Sequence, residues 1–159
     1  MRPELINPLV LAYLGDGVFE VYVREYLIVE KNITKPDLLQ KEAIQFVSAK
    51  AQAAFMKEAI MNAWVSEDEI GIYKRGRNAK CTRVMKNTSV ITHNQSSGFE
   101  ALIGHLYLSN NEERIKEIFD LYKGFVENSL WNKFERHKGV KYETVYLWKK
   151  YSIRIFKGW

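Results

Sequence analysis

From Pro8 to Asn128 apolar side chains recur at three- and four-residue intervals, interrupted only between Asn78 and Gln95, and no segment alternates as a half-buried strand must. That pattern restricts the body of the chain to an all-α fold. Helices are expected over Pro8–Ile28, from Thr34-x-x-Asp37 with Pro36 in the first turn, and along the alanine-rich stretch Ala43–Ala63, with a break near Val47 and Ser48. Ser66-x-x-Glu69 reads as a capping box that opens a short helix expected to fray at Gly76. Asn78–Gln95 reads as a long loop, and Ser97–Ser109 and Glu112–Asn128 as the last two helices. Residues 1–128 form the expected domain, with 129–159 as an appendage.

With 159 residues, 47% of them hydrophobic, one ordinary core can be buried. The apolar run around Pro8–Tyr13 is far short of a membrane span, and no basic-then-apolar leader opens the chain, so the expected setting is cytoplasmic with no membrane contact. A single cysteine, Cys81, excludes an internal disulfide and a cysteine-based zinc site. No phosphate-binding GxxxxGK[ST], HExxH or EF-hand loop is present.

The net charge of +5 is unevenly spread. Between Ile70 and Phe99 there is no acid, while Lys74, Arg75, Arg77, Lys80, Arg83 and Lys86 give that span +6. The segment 129–159 also carries +6, leaving −7 for the rest. Two basic pieces on an acidic body present a localised footprint to a polyanion. A solvated charge run is the plainer reading of Lys74–Lys86, but a Gly/Asn-containing segment without neutralising acids suits the phosphates and shallow minor groove of an RNA duplex.

The residues YLGDGVFE, 13–20, set an aspartate between two glycines inside an apolar helix. Asp16, Glu20 and Arg24 share one face, while Val10, Leu14, Val18 and Val21 cover another. A solvated stripe with a Glu20–Arg24 pair accounts for two of the three charges. It does not account for Asp16, which repels Glu20, or for glycines that each cost about 1 kcal/mol in a helix interior. Close approach of another backbone or a ligand is the alternative. Glu100 raises the same question: Ser97-x-x-Glu100 can be a capping box, yet Gly104 again thins the helix one turn beyond an acid. Two such helices packed together bring both carboxylates to one point, either as a liability or as a divalent-cation site.

NPLVLAYLGDGVFEVYVREYL resembles the signature helix of the ribonuclease III catalytic domain, and FEALIGHLYL its second acidic helix. VSAKAQA (47–53), RGRNAK (75–80) and KNT (86–88) bring the resemblance closer to Mini-ribonuclease III, the subfamily without a double-stranded-RNA-binding domain. The likeness covers about residues 5–125. It implies a dimeric helical endonuclease that cleaves double-stranded RNA with Mg2+, with Asp16 as catalytic aspartate, Glu100 as metal-binding glutamate, and both as metal ligands. Two further acids of ordinary ribonuclease III are absent, because Ala12 and Ser97 stand at their positions. Glu20 is the available extra acid, which either touches metal-bound water or simply pairs with Arg24. Lys74, Arg75, Arg77, Asn78, Lys80, Arg83 and Lys86 are the expected RNA contacts. The resemblance further implies a homodimer acting on precursor large-subunit (23S) ribosomal RNA, with a large-subunit ribosomal protein as a candidate helper.

His93, His105 and His137 have no triad-like neighbours in sequence and read as loop, core or surface residues. The interleaved aromatic and basic residues of HKGVKYETVYLWKKYSIRIFKGW have no counterpart in the resemblance. The competing reading of the whole chain is a non-catalytic RNA-binding or ribosome-assembly protein that keeps the fold. Ala12 and Ser97 favour it, and retention of Asp16 and Glu100 opposes it.

Overall fold

A computed structural model describes residues 1–79 and 89–138, with the backbone alone for residues 131 and 134–138. Within them a 3-10 turn, Pro3–Leu5, precedes six helices: α1 (Pro8–Val29), α2 (Pro36–Val47), α3 (Ala49–Met61), α4 (Glu67–Asn78), α5 (Val90–Leu108) and α6 (Glu112–Lys138). No strand occurs among the described residues, and the fold is all-α as the periodicity requires.

Local chemistry accounts for most boundaries. Pro8 occupies the first position of α1, and the Leu9 N–H donates to the Asn7 side chain at 2.9 Å. The expected break at Ser48 is present: α2 ends there, and its hydroxyl accepts from the Ala51 N–H to start α3. α2 itself starts at Pro36 without a side-chain cap. Ser66 and Glu69 form both bonds of the capping box that opens α4.

Three expectations are corrected. α4 does not fray at Gly76 but runs on to Asn78, because a Cβ at Gly76 would lie 2.7 Å from the Ala101 Cβ and 2.9 Å from the Gly98 Cα: the glycine is a packing surface, not a stop signal. α5 starts at Val90, well inside the expected loop, with the Ser89 hydroxyl accepting from the Thr92 N–H at 3.1 Å. Ser97 is therefore a buried residue inside α5 and not its cap. α6 continues past Asn128 to Lys138. Residues Met1–Val126 form one compact unit and a second begins at Glu127, so the division falls inside α6. Residues 139–159, most of the expected appendage, lie outside the described residues.

α5 is the axis of the first unit, packed most extensively against α1, then α4 and α3. Glycines set its separations. A Cβ at Gly15 would lie 1.8 Å from the Glu100 carbonyl oxygen, and one at Gly104 would lie 2.0 Å from that of Leu11. α1 and α5 thus touch backbone to backbone. This seam selects which ridge of α1 is buried. The ridge of α1 that meets the core is Leu11, Ala12, Gly15, Phe19, Val23, Tyr26 and Leu27, whereas Val10 and Val21 are 58% and 62% exposed. Periodicity alone offers both ridges, and the glycine selects the first.

Beyond the seam the core is aromatic. The Phe19 ring meets Phe99, Phe119 and Tyr122 edge-on, with centroids 5.0, 5.8 and 4.8 Å away. The buried Tyr122 hydroxyl donates to the Phe46 carbonyl, and burial raises its pKa. Arg114 of α6 ties α4 down, donating from Nε and Nη2 to the two Glu69 oxygens at 2.7 and 2.9 Å and from Nη2 to the Trp64 carbonyl at 2.8 Å. Arg114→Ala strands the buried Glu69 carboxylate and is expected to cost about 2–3 kcal/mol in urea unfolding. A loss under about 0.5 kcal/mol, the range of ordinary surface substitutions, would show that the fork contributes little.

Candidate active site

The α1–α5 seam fixes where the two acids stand. Gly15, against the Glu100 carbonyl, is followed at once by Asp16, so both carboxyl groups flank a backbone contact that neither helix can widen without losing its core. Burial, and then the negative charge of Asp16, push the Glu100 carboxyl up to about 8. Asp16 is exposed as a residue, yet partial burial of its carboxylate and then the charge of Glu20 raise it as well. The structure thus brings Asp16 and Glu100 into electrostatic contact. Glu20 is one turn away and also holds the Arg24 guanidinium at 3.4 Å, the pair expected from spacing.

The positions that lack acids have structural occupants. Ala12 is buried with Leu11 and Ala101, against Ile6 and Leu108, where a carboxylate would be desolvated. Ser97 is buried in the turn before Glu100. Among the described residues no group of three or more His, Cys, Asp or Glu could hold a metal. The donor set is two carboxylates of which one is desolvated and repelled by the other. A hard divalent cation relieves that repulsion, and such ions accept few protein ligands when water and phosphate complete the shell, so the residues fit a magnesium ion.

The basic residues fall differently from the sequence expectation. Lys74, Arg75, Arg77 and Asn78 are on α4, not on a loop, and Lys74, Arg75 and Asn78 are exposed. Arg77 lies over the Tyr73 ring at 5.6 Å and donates to the Asn78 side chain, so its guanidinium is held in place. Arg75 is within 3.4 Å of the Ile6 carbonyl. Lys80, Arg83 and Lys86 lie outside the described residues. α4 meets α5 through Gly76 and Gly98, two residues before Glu100, so the basic helix is anchored next to the acidic turn. The His93 and His105 imidazoles are partly buried, and burial holds His105 below its usual pKa.

The ribonuclease III domain family matches residues 9–111. The Mini-ribonuclease 3 of Clostridium tetani is 43% identical over 132 residues, covering 83% of this chain and 86% of that protein. The chain belongs to the Mini-ribonuclease 3 family. The Brevibacillus brevis member is 46% identical over 79% of this chain and 91% of its own length. A solved Fusobacterium nucleatum protein superposes with a TM-score of 0.65 at 30% identity, over 72% of this chain and 91% of that one. As a Mini-ribonuclease 3 the protein is an endoribonuclease. Among the described residues no helix is long and apolar enough to cross a membrane.

One polar group at this end of α5 escaped the sequence reading. Gln52 of α3 is fully buried, and its Oε1 accepts from the Ser96 hydroxyl at 2.5 Å. The signal was a lone amide within Ala49–Ala54, on a face otherwise buried through Ala53, Phe55, Met56 and Ala59.

Proposed function

We propose that this Mini-ribonuclease 3 hydrolyses phosphodiesters of double-stranded RNA, with Asp16 and Glu100 holding a magnesium ion between them. The observation that carries the reading is the pair of like-charged carboxyls held together by backbone contact at Gly15, one of them too desolvated to ionise readily alone. When bound, the ion supplies Lewis-acid polarisation of the phosphate and a water acidic enough to act as nucleophile near neutral pH. Asp16 and Glu100 orient that site, and no protein nucleophile is required. Glu20 is placed to accept a hydrogen bond from water at the exposed edge. Lys74, Arg75, Arg77 and Asn78 present α4 to phosphates and the minor groove, so sequence preference is weak and RNA shape decides. Lys80, Arg83 and Lys86 extend the same basic run. The exposed apolar residues Val10, Tyr13 and Val21 of α1 support a homodimer, in which two sites cut the two strands. Precursor 23S ribosomal RNA in the cytoplasm is the substrate that fits the family, with a large-subunit ribosomal protein as helper.

Duplex RNA nicking in magnesium tests this. The native chain is expected to cut, and Asp16→Asn to lose at least about a hundredfold in rate while still binding RNA, as for loss of a group that acts at the reacting centre. Equal cutting by both proteins would remove Asp16 from the chemistry. An intact duplex with native protein would favour the RNA-binding alternative.

The basic helix separates binding from chemistry. Replacing Lys74, Arg75 and Arg77 together by alanine is expected to flatten the log–log salt dependence of duplex affinity by about two to three units, at about 0.7–0.9 per phosphate contact. Titrations in calcium at several salt concentrations measure it. An unchanged slope would place the RNA elsewhere.

A further inference from the structure

We propose that Gln52 is a positioning residue for the acidic pair: through Ser96 it fixes the rotation of α5 about its own axis and so the direction of the Glu100 carboxylate. The inference rests on the role given above to Glu100. Ser96 lies one helical turn before Glu100, on the same helix. Further contacts of this part of α5 are steric: Gly98 against the Tyr73 backbone and ring, Gly104 against the Leu11 carbonyl, the Phe99 ring against Phe19 and Phe55, and the buried Ala101, Leu102 and Ile103. Such packing has no directional preference of its own. A hydrogen bond is directional. The one from Ser96 Oγ to Gln52 Oε1 joins α5 to α3 in a region without solvent.

Rotation matters because side chains stand about 5–6 Å from a helix axis, so a turn of about 10° displaces a tip by about 1 Å. A metal or catalytic constellation tolerates about 0.5 Å. Stability does not explain the pair. Two apolar side chains of the same shape would hold α3 against α5 at least as well. Gln52 is moreover an uncomfortable core residue, since its Nε2 is buried with no hydrogen-bond partner among the described residues. A buried polar contact kept at a cost in stability is best attested where it specifies register.

The test compares the native protein with the double variant Gln52→Met/Ser96→Ala, which removes both polar partners, and with Ser96→Thr, which keeps the hydroxyl. Three readings are taken: the metal-free unfolding midpoint, Mn2+ affinity by calorimetry, and kcat and KM on duplex RNA. The double variant is expected to melt at or above the native midpoint, to bind Mn2+ about tenfold or more weakly, and to lose kcat by a similar factor at unchanged KM, as when an outer partner of a metal ligand is removed. Ser96→Thr is expected to stay within about threefold of native Mn2+ affinity and kcat, the rescue that loss of core volume would not give. Native-like Mn2+ affinity and kcat in the double variant overturn the proposal while leaving the proposed function intact. A double variant that fails to fold also overturns it, because the pair would then be structural. A native chain that neither binds Mn2+ nor cleaves overturns the proposed function and this role together.

Discussion

Glu100→Gln is expected to abolish RNA cleavage and, without metal at pH 8 and above, to make the protein more stable than the native chain. The sign follows from the raised carboxyl. A group whose folded pKa lies above its unfolded value contributes most below the unfolded pKa, and that contribution is lost as pH rises through the folded one. For Glu100 the window runs from 4.5 to about 8. At pH 4 native and variant should unfold alike, and above pH 8 the variant should lead by at most about 5 kcal/mol, at about 1.4 kcal/mol per pKa unit. Urea unfolding of the metal-free proteins across that range measures the difference. A variant less stable than native at pH 8 would mean that Glu100 is ionised and satisfied by the protein itself, and the case for a cation would weaken. Loss of cleavage alongside gained stability is the signature of a group retained for function.

Gly15→Ala is expected to be the most damaging glycine-to-alanine change among the described residues. The added carbon would lie 1.8 Å from the Glu100 carbonyl oxygen and 2.8 Å from the Gly104 nitrogen, both backbone atoms inside α5. No rotamer change relieves that, so α1 and α5 must separate and the aromatic core with them. The cost is expected to be about 4 kcal/mol or more, a large share of the roughly 5–15 kcal/mol that holds a domain together. Gly17→Ala provides the contrast. Nothing lies within 4 Å of its Cβ position, so the substitution should stabilise α1 by about 0.5–1 kcal/mol. Circular dichroism melts of the two variants decide the matter. Equal effects would contradict the account of the seam.

These two glycines show how far the sequence could be read. Leu-Gly-Asp-Gly signalled that something approaches α1 closely, and spacing put Asp16 beside the approach. Local sequence could not tell which glycine meets a backbone and which faces open space, because that depends on where α5 crosses. The same limit applies to the ridges of α1: Val10 and Val21 are as apolar as Phe19 and Val23, and only the partner helix chooses between them. Caps were legible where the chemistry is short-ranged, as at Ser48 and Ser66. They misled at Ser97, which with Glu100 stands at capping spacing but inside a helix that Ser89 caps. The nearness of Asp16 to Glu100 was legible from the acid-beside-glycine pattern and the family resemblance together. The Arg114–Glu69 fork and the Gln52–Ser96 bond join residues 45 and 44 positions apart, beyond the reach of any local pattern.

Metal-dependent thermal stability at pH 8 tests most directly whether Asp16 and Glu100 hold one cation between them. Magnesium or manganese should raise the midpoint of the native protein in a saturable way, by relieving the repulsion between the two carboxylates, and should leave Asp16→Asn and Glu100→Gln unmoved at the same concentrations. A shift of equal size in all three proteins would contradict the account.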